Sequence, residues 1–155
     1  MNLRTRLSRS NGYRKLGMYG ESINELESIE GDENWGYPIL KAKYQTYWEA
    51  EAYDLAEAIA RGMRIHHPHL TEGWLMGAEC LNKLKGAKEA AEFLLKDEES
   101  FSEQADVLFA TGRYSALAND LGKAKDFVRR AIKLDGKYRA EFLDDSAFDE
   151  VWDSF

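Results

Sequence analysis

At 155 residues the chain has the size of one domain, and 44% apolar against 32% charged residues exclude the disordered, collagen-like and disulfide-dense classes. A single cysteine, Cys80, excludes an internal disulfide framework and points to a reducing, cytoplasmic setting. The net charge of −7 has the wrong sign for a protein that lives on nucleic acid or an anionic membrane, and no run of roughly 18 apolar residues offers a span.

Residues 1–17 hold Arg4, Arg6, Arg9, Arg14 and Lys15 and no acid, so a start of +5 stands against −12 over the rest. This Arg- and Ser-rich stretch has the composition of an organellar presequence, but the same residues fit a structural repeat, which is the reading preferred, and it lacks the apolar centre of a secretory signal. From there the chain repeats at a spacing of 34. Tyr19, Tyr53, Ala87 and Leu121 each open a helical pattern; three positions on lie Ser22, Ala56, Ala90 and Ala124, all small. Leu26, Ala60, Leu94 and Val128 follow, then Ile29, Met63, Asp97 and Ala131. Ahead of each lies another pattern, in register through Ser10, Tyr44, Ala78 and Gly112 and through Tyr13, Tyr47, Leu81 and Ser115. The units are 3–36, 37–70, 71–104 and 105–138, each two amphipathic helices with a joint near Gly17, Glu51, Lys85 or Asn119.

Boundary residues agree with this division. Pro38 suits a first helical turn, Thr71 a cap, and Asn119 or Asp120 the cap of a helix that runs through Ile132 and Leu134 to Gly136. His66 and His67 fall in a last turn before Pro68, where the helix dipole favours them. Asp97 stands where the other units carry an apolar residue, so the end of that helix and the 97–104 loop break the pattern. Residues 139–155 lie outside the frame: a turn at Asp145 or Ser146 leads into a short helix whose Phe148, Val151, Trp152 and Phe155 form one apolar face. Helix pairs cannot cover their own apolar faces, and stacking them covers all but the last, which needs a cap.

Trp74, Gly77-Ala78, Leu81, Gly86, Ala90 and Leu94, with Pro68 before them, resemble the tetratricopeptide repeat family, and Gly112, Leu121, Ala124, Val128 and Leu134-Asp135-Gly136 carry the likeness into the fourth unit. The acidic, Trp-containing tail is similar to that of small bacterial proteins of this family. The resemblance implies a single all-α domain over 1–155, an α-solenoid of four antiparallel helix pairs with a C-terminal capping helix, whose first helices line a concave peptide-binding face. On that face it places Asn11, Arg14, Lys41, Gln45, Trp48, Met76, Glu79, Phe109 and Arg113. Trp48 and Phe109 are expected to be aromatic anchors, since the repeat core does not demand a ring there; the alternative is that four repeats curve too little to form a groove and both rings pack on their neighbours. The family's carboxylate clamp is not reproduced, because Leu7 and Ala42 replace polar residues.

No GxGxxG, GxxxxGK[ST], GxSxG or HExxH motif occurs, so no enzyme, cofactor or metal is expected. His66, His67 and His69 are separated by Pro68 and by helical geometry, which keeps one ion from collecting all three. The expected function is a non-catalytic scaffold that takes a protein or peptide segment, acidic where it meets Arg14, Lys41 and Arg113. The alternative is self-assembly, the basic start of one copy docking on the acidic end of another.

Overall fold

The computed structural model describes residues 1–152; Asp153 and Phe155, the latter assigned to the cap's apolar face, lie outside the described residues. Described residues form helices and turns with no strand. They group into two compact units, Met1–Met76 and Gly77–Phe155. The first holds α1 (Leu3–Lys15), α2 (Tyr19–Glu27), α3 (Tyr37–Glu49), α4 (Tyr53–His66) and the start of α5 (Glu72–Leu84). The second holds the rest of α5, then α6 (Ala87–Leu95), α7 (Ala105–Leu117), α8 (Leu121–Leu134), α9 (Tyr138–Asp144) and α10 (Asp149–Trp152).

The four first helices α1, α3, α5 and α7 are each 13 residues long. The second helices begin at Tyr19, Tyr53, Ala87 and Leu121, as the 34-residue spacing requires. Their lengths alternate: 9 residues in α2 and α6, 14 in α4 and α8. The difference follows from the position ten residues into each helix. Met63 and Ala131 are fully buried there and hold the helix on its partner, whereas Asp97 is exposed and α6 stops before it. In the first unit Ile29 is buried from beyond the end of α2. The carbonyls freed by that early stop are met from outside: Asn34 Nδ2 donates to the Leu26 and Ile29 oxygens at 3.0 and 2.8 Å. Lys43, 4% exposed, holds Asn34 by donating to its Oδ1 at 2.6 Å and pairs with Glu27 at 3.0 Å.

All four joints close with one bond. The amides of Met18, Ala52, Gly86 and Asp120 donate to the carbonyls of Tyr13, Tyr47, Leu81 and Ser115, at 2.9, 2.9, 3.1 and 2.8 Å. This is the six-to-one bond of a Schellman cap, and it needs a left-handed residue just past the helix. Gly17, Glu51 and Asn119 supply it, with φ of 74°, 58° and 63°. In the third joint the positive φ falls on Gly86, at 109°, one residue later than Lys85. Asn119 thus makes the turn, and Asp120 caps α8 by accepting from the Lys123 amide at 3.2 Å.

Ser22, Ala56, Ala90 and Ala124 are all fully buried, which lets the two helices of each pair approach closely. Ser22 also carries a polar network: its Oγ lies 2.8 Å from Ser10 Oγ and 3.2 Å from Thr46 Oγ1, tying α1, α2 and α3 together. Leu26, Ile29, Ile39 and Ala42 form the first unit's core beside them. In the second unit Leu108, Phe109, Phe127 and Val128 of α7 and α8 join Tyr138, Phe142, Phe148 and Val151 in one cluster. The C-terminal cap is larger than one helix. Helix α9 precedes the turn in which Asp145 accepts from the Ala147 amide at 2.9 Å, and Phe148 and Val151 beyond it are fully buried while Trp152 is half-exposed.

Candidate functional site

In the first unit, α1 and α3 pack against each other, and the 34-residue frame sets Asn11 on the same helical position as Gln45. Both side chains are half-buried. Neither carboxamide makes a side-chain hydrogen bond among the described residues, although each has two donors and an acceptor. Arg14 lies one turn beyond Asn11. Its guanidinium closes on Glu49 of α3, and its Nε is buried without a hydrogen-bond partner.

Lys41 is engaged as well. Its Nζ donates to Tyr37 Oη at 3.2 Å, and the Tyr37 hydroxyl donates to the Glu72 carboxylate, 2.8 and 2.7 Å from its two oxygens. The bond to Tyr37, and then the charges around it, raise the Lys41 pKa above that of a free lysine. Trp48 does not stand clear as a lone anchor: its ring stacks on Tyr44 at 5.9 Å and meets Tyr53 edge-on at 4.9 Å. It is only partly buried. Met76 contributes a carbonyl, which accepts from Tyr44 Oη at 3.3 Å.

In the second unit the expectation for Phe109 needs correction. It is 8% exposed and packs in the core between Tyr138, at 4.9 Å, and Phe148, at 5.4 Å. The capping helices claim the ring that the sequence offered to a ligand. Arg113 binds Asp145 through Nε at 2.6 Å and so anchors the same cap. Glu79 is exposed, and its charge adds to burial in pushing the Tyr114 hydroxyl up to about 12.

Each basic residue expected to meet an acidic partner therefore already faces an acid of this chain: Arg14 with Glu49, Lys41 with Glu72 through Tyr37, Arg113 with Asp145. Glu49, Tyr37 and Glu72 were missed in the sequence. The available signal was an acid 35 residues downstream of Arg14 and of Tyr37, one repeat plus one residue.

The histidines pack at the end of α4. His66 stacks on Trp35 at 4.5 Å, and His67 Nε2 donates to the Trp35 carbonyl at 2.8 Å. Among the described residues no group of three His, Cys, Asp or Glu side chains could hold a metal ion, and no helix is long and apolar enough to cross a membrane.

No family model and no curated protein matches the sequence. Solved structures do. MamA from AMB-1 is 15% identical with a TM-score of 0.57, over 85% of this chain and 72% of that one. MamA from MSR-1 is 16% identical with a TM-score of 0.54, over 94% of this chain and 88% of that one. At these identities the likeness is one of fold: the chain is an all-α solenoid of antiparallel helix pairs, as MamA, a tetratricopeptide-repeat protein, is.

Proposed function

We propose that the protein is a non-catalytic, cytoplasmic scaffold that binds an extended segment of a partner protein on the first-helix face of its first unit. The supporting observation is the pair of unpartnered carboxamides, Asn11 and Gln45, set one repeat apart beside the unsatisfied Nε of Arg14. Carboxamides offer a donor and an acceptor together, which matches the peptide group of an extended chain. The accessible edge of Trp48 lies one turn beyond Gln45 and adds apolar contact, while Lys41 borders the row. An acidic residue in the ligand would compete with Glu49 for Arg14 and with Glu72 for the Tyr37–Lys41 pair, so charge tunes affinity without being its source. In the second unit Glu79 and Arg113 hold the frame position that Asn11 and Gln45 hold in the first. Retention of an array of extended peptides tests the reading. The wild type retains a subset, and Asn11→Ala with Gln45→Ala releases it by about tenfold or more, two hydrogen bonds' worth; equal retention by both proteins overturns it.

A second reading is self-association. Arg4 and Lys15 are exposed at one end of the sequence, and Glu141, Asp144, Asp149 and Glu150 are exposed at the other beside half-exposed Leu143 and Trp152. Arg6 and Arg9 are already taken by Glu25, at 3.3 and 3.0 Å, which weakens the basic side. Sedimentation at low and high salt separates the cases: a salt-sensitive dimer supports this reading, and a monomer at both removes it.

A further inference from the structure

Helix α9 buries one side and leaves the other uncovered. Tyr138 and Phe142, four residues apart, join the core of the second unit. At about 100° per residue, Arg139, Ala140, Leu143 and Asp144 share the opposite side, and all four are exposed. Neither Arg139 nor Asp144 makes a side-chain hydrogen bond or ion pair among the described residues. The order along this face is a cation at 139, apolar residues at 140 and 143, and an anion at 144. Reversing the chain direction about its midpoint exchanges Arg139 with Asp144 and Ala140 with Leu143. A second α9 laid antiparallel on the first therefore sets each arginine against an aspartate and each leucine against an alanine, a large side chain on a small one. Beyond Leu143 the apolar surface continues across an open groove to Ile132 and half-exposed Trp152, all within the second unit.

We propose that this face docks a second copy of the chain through α9, about a two-fold axis, with Leu143 and Trp152 in the apolar part and Arg139 paired with Asp144 of the partner subunit at both edges. A two-fold interface needs a surface complementary to itself, and the opposite charges six positions apart supply that complementarity and fix the register. The contact differs from the docking of a basic start on an acidic end: it uses no residue of α1 and closes at two copies, so either can fail while the other stands. A seven-residue helix and one groove make a small contact, and small interfaces are weak and transient.

Sedimentation equilibrium of the full chain, at concentrations up to about 1 mM, tests the proposal. The wild type shows a monomer–dimer equilibrium and no larger species. Arg139→Asp and Asp144→Arg each set like charges against each other at both edges and weaken the dimer by about tenfold or more. Mixing the two variants restores pairing, as does combining both changes in one chain, because opposite charges face each other again. An acid in the first turn of α9 and a base in its last suit the helix dipole, so these changes leave the fold intact, which an unaltered circular dichroism spectrum checks. Arg4→Glu with Lys15→Glu leaves the dimer as it was. A wild type that stays monomeric throughout, a dimer indifferent to Arg139→Asp, or a mixture of the two variants that fails to pair overturns the proposal. Association lost with the α1 variant and kept by the α9 variants overturns it too, in favour of the head-to-tail contact.

Discussion

Glu51 has a side chain where the backbone favours none. Its φ of 58° puts it in the left-handed region, which costs an ordinary L-residue roughly 1–2 kcal/mol. Glycine removes that strain and loses part of the gain to its freer unfolded chain. Glu51→Gly should therefore raise stability by about 0.5–1 kcal/mol, read from the urea midpoint, and Asn119→Gly by less, because asparagine tolerates this conformation. Tyr114 makes a prediction of opposite sense. Burial first, then the charge of Glu79, raises its hydroxyl from 10.0 to about 12. The folded state thus keeps the proton longer than the unfolded state does. Its stabilising effect is complete below pH 10 and is lost as pH rises through 12. Tyr114→Phe should flatten that alkaline limb of an unfolding series; an unchanged limb would assign it to other groups.

Among the elements, α7 and α8 approach closely at Gly112 of α7. A Cβ there would meet Val128 Cγ2 at 2.9 Å and the Ala124 carbonyl and Phe127 Cβ at 3.3 Å. Alanine's better helix propensity is worth about 1 kcal/mol, and overpacking costs about 1–3 kcal/mol. Gly112→Ala should come out destabilising on thermal melting. Gly122→Ala, whose Cβ meets only Asp120 Oδ1 at 4.0 Å, should gain stability and serves as the control. Most helix starts were legible because one period of 34 carries them all, and even the short α6 was marked by Asp97. Helix α9 was not, since Tyr138 closes the last repeat, Phe142 lies past it, and two apolar residues four apart make no pattern on their own. The same blindness cost Phe109: its frame position left it without a core partner until the cap supplied Tyr138 and Phe148. Trp48 shows the limit from the other side, its neighbours Tyr44 and Tyr53 being plain in the sequence but their stacking a matter of side-chain geometry.

For the molecule as a whole, the cap decides how well the second unit holds. Phe148 is fully buried against Phe109 and Phe142, and losing such a ring costs about 3–5 kcal/mol. That is a large part of the roughly 5–15 kcal/mol that keeps a domain folded. Phe148→Ala should therefore speed amide exchange in α9 and at the end of α7, with α1 and α3 little affected if repeats respond to their nearest neighbours. Uniform loss of protection would instead make the chain one cooperative block. Net charge is the least telling whole-chain quantity here, because Arg6, Arg9 and Arg14 of α1 answer to Glu25 and Glu49 inside their own unit.

The joints have a consequence for building with this chain. Three of the four turn on a left-handed residue at the same frame position, through a backbone bond that does not depend on whether that residue is glycine, glutamate or asparagine. They are natural splice points: a segment exchanged or duplicated between Gly17 and Glu51 keeps its turn geometry at both ends. The third joint, with its turn shifted to Gly86, is a poor place to cut.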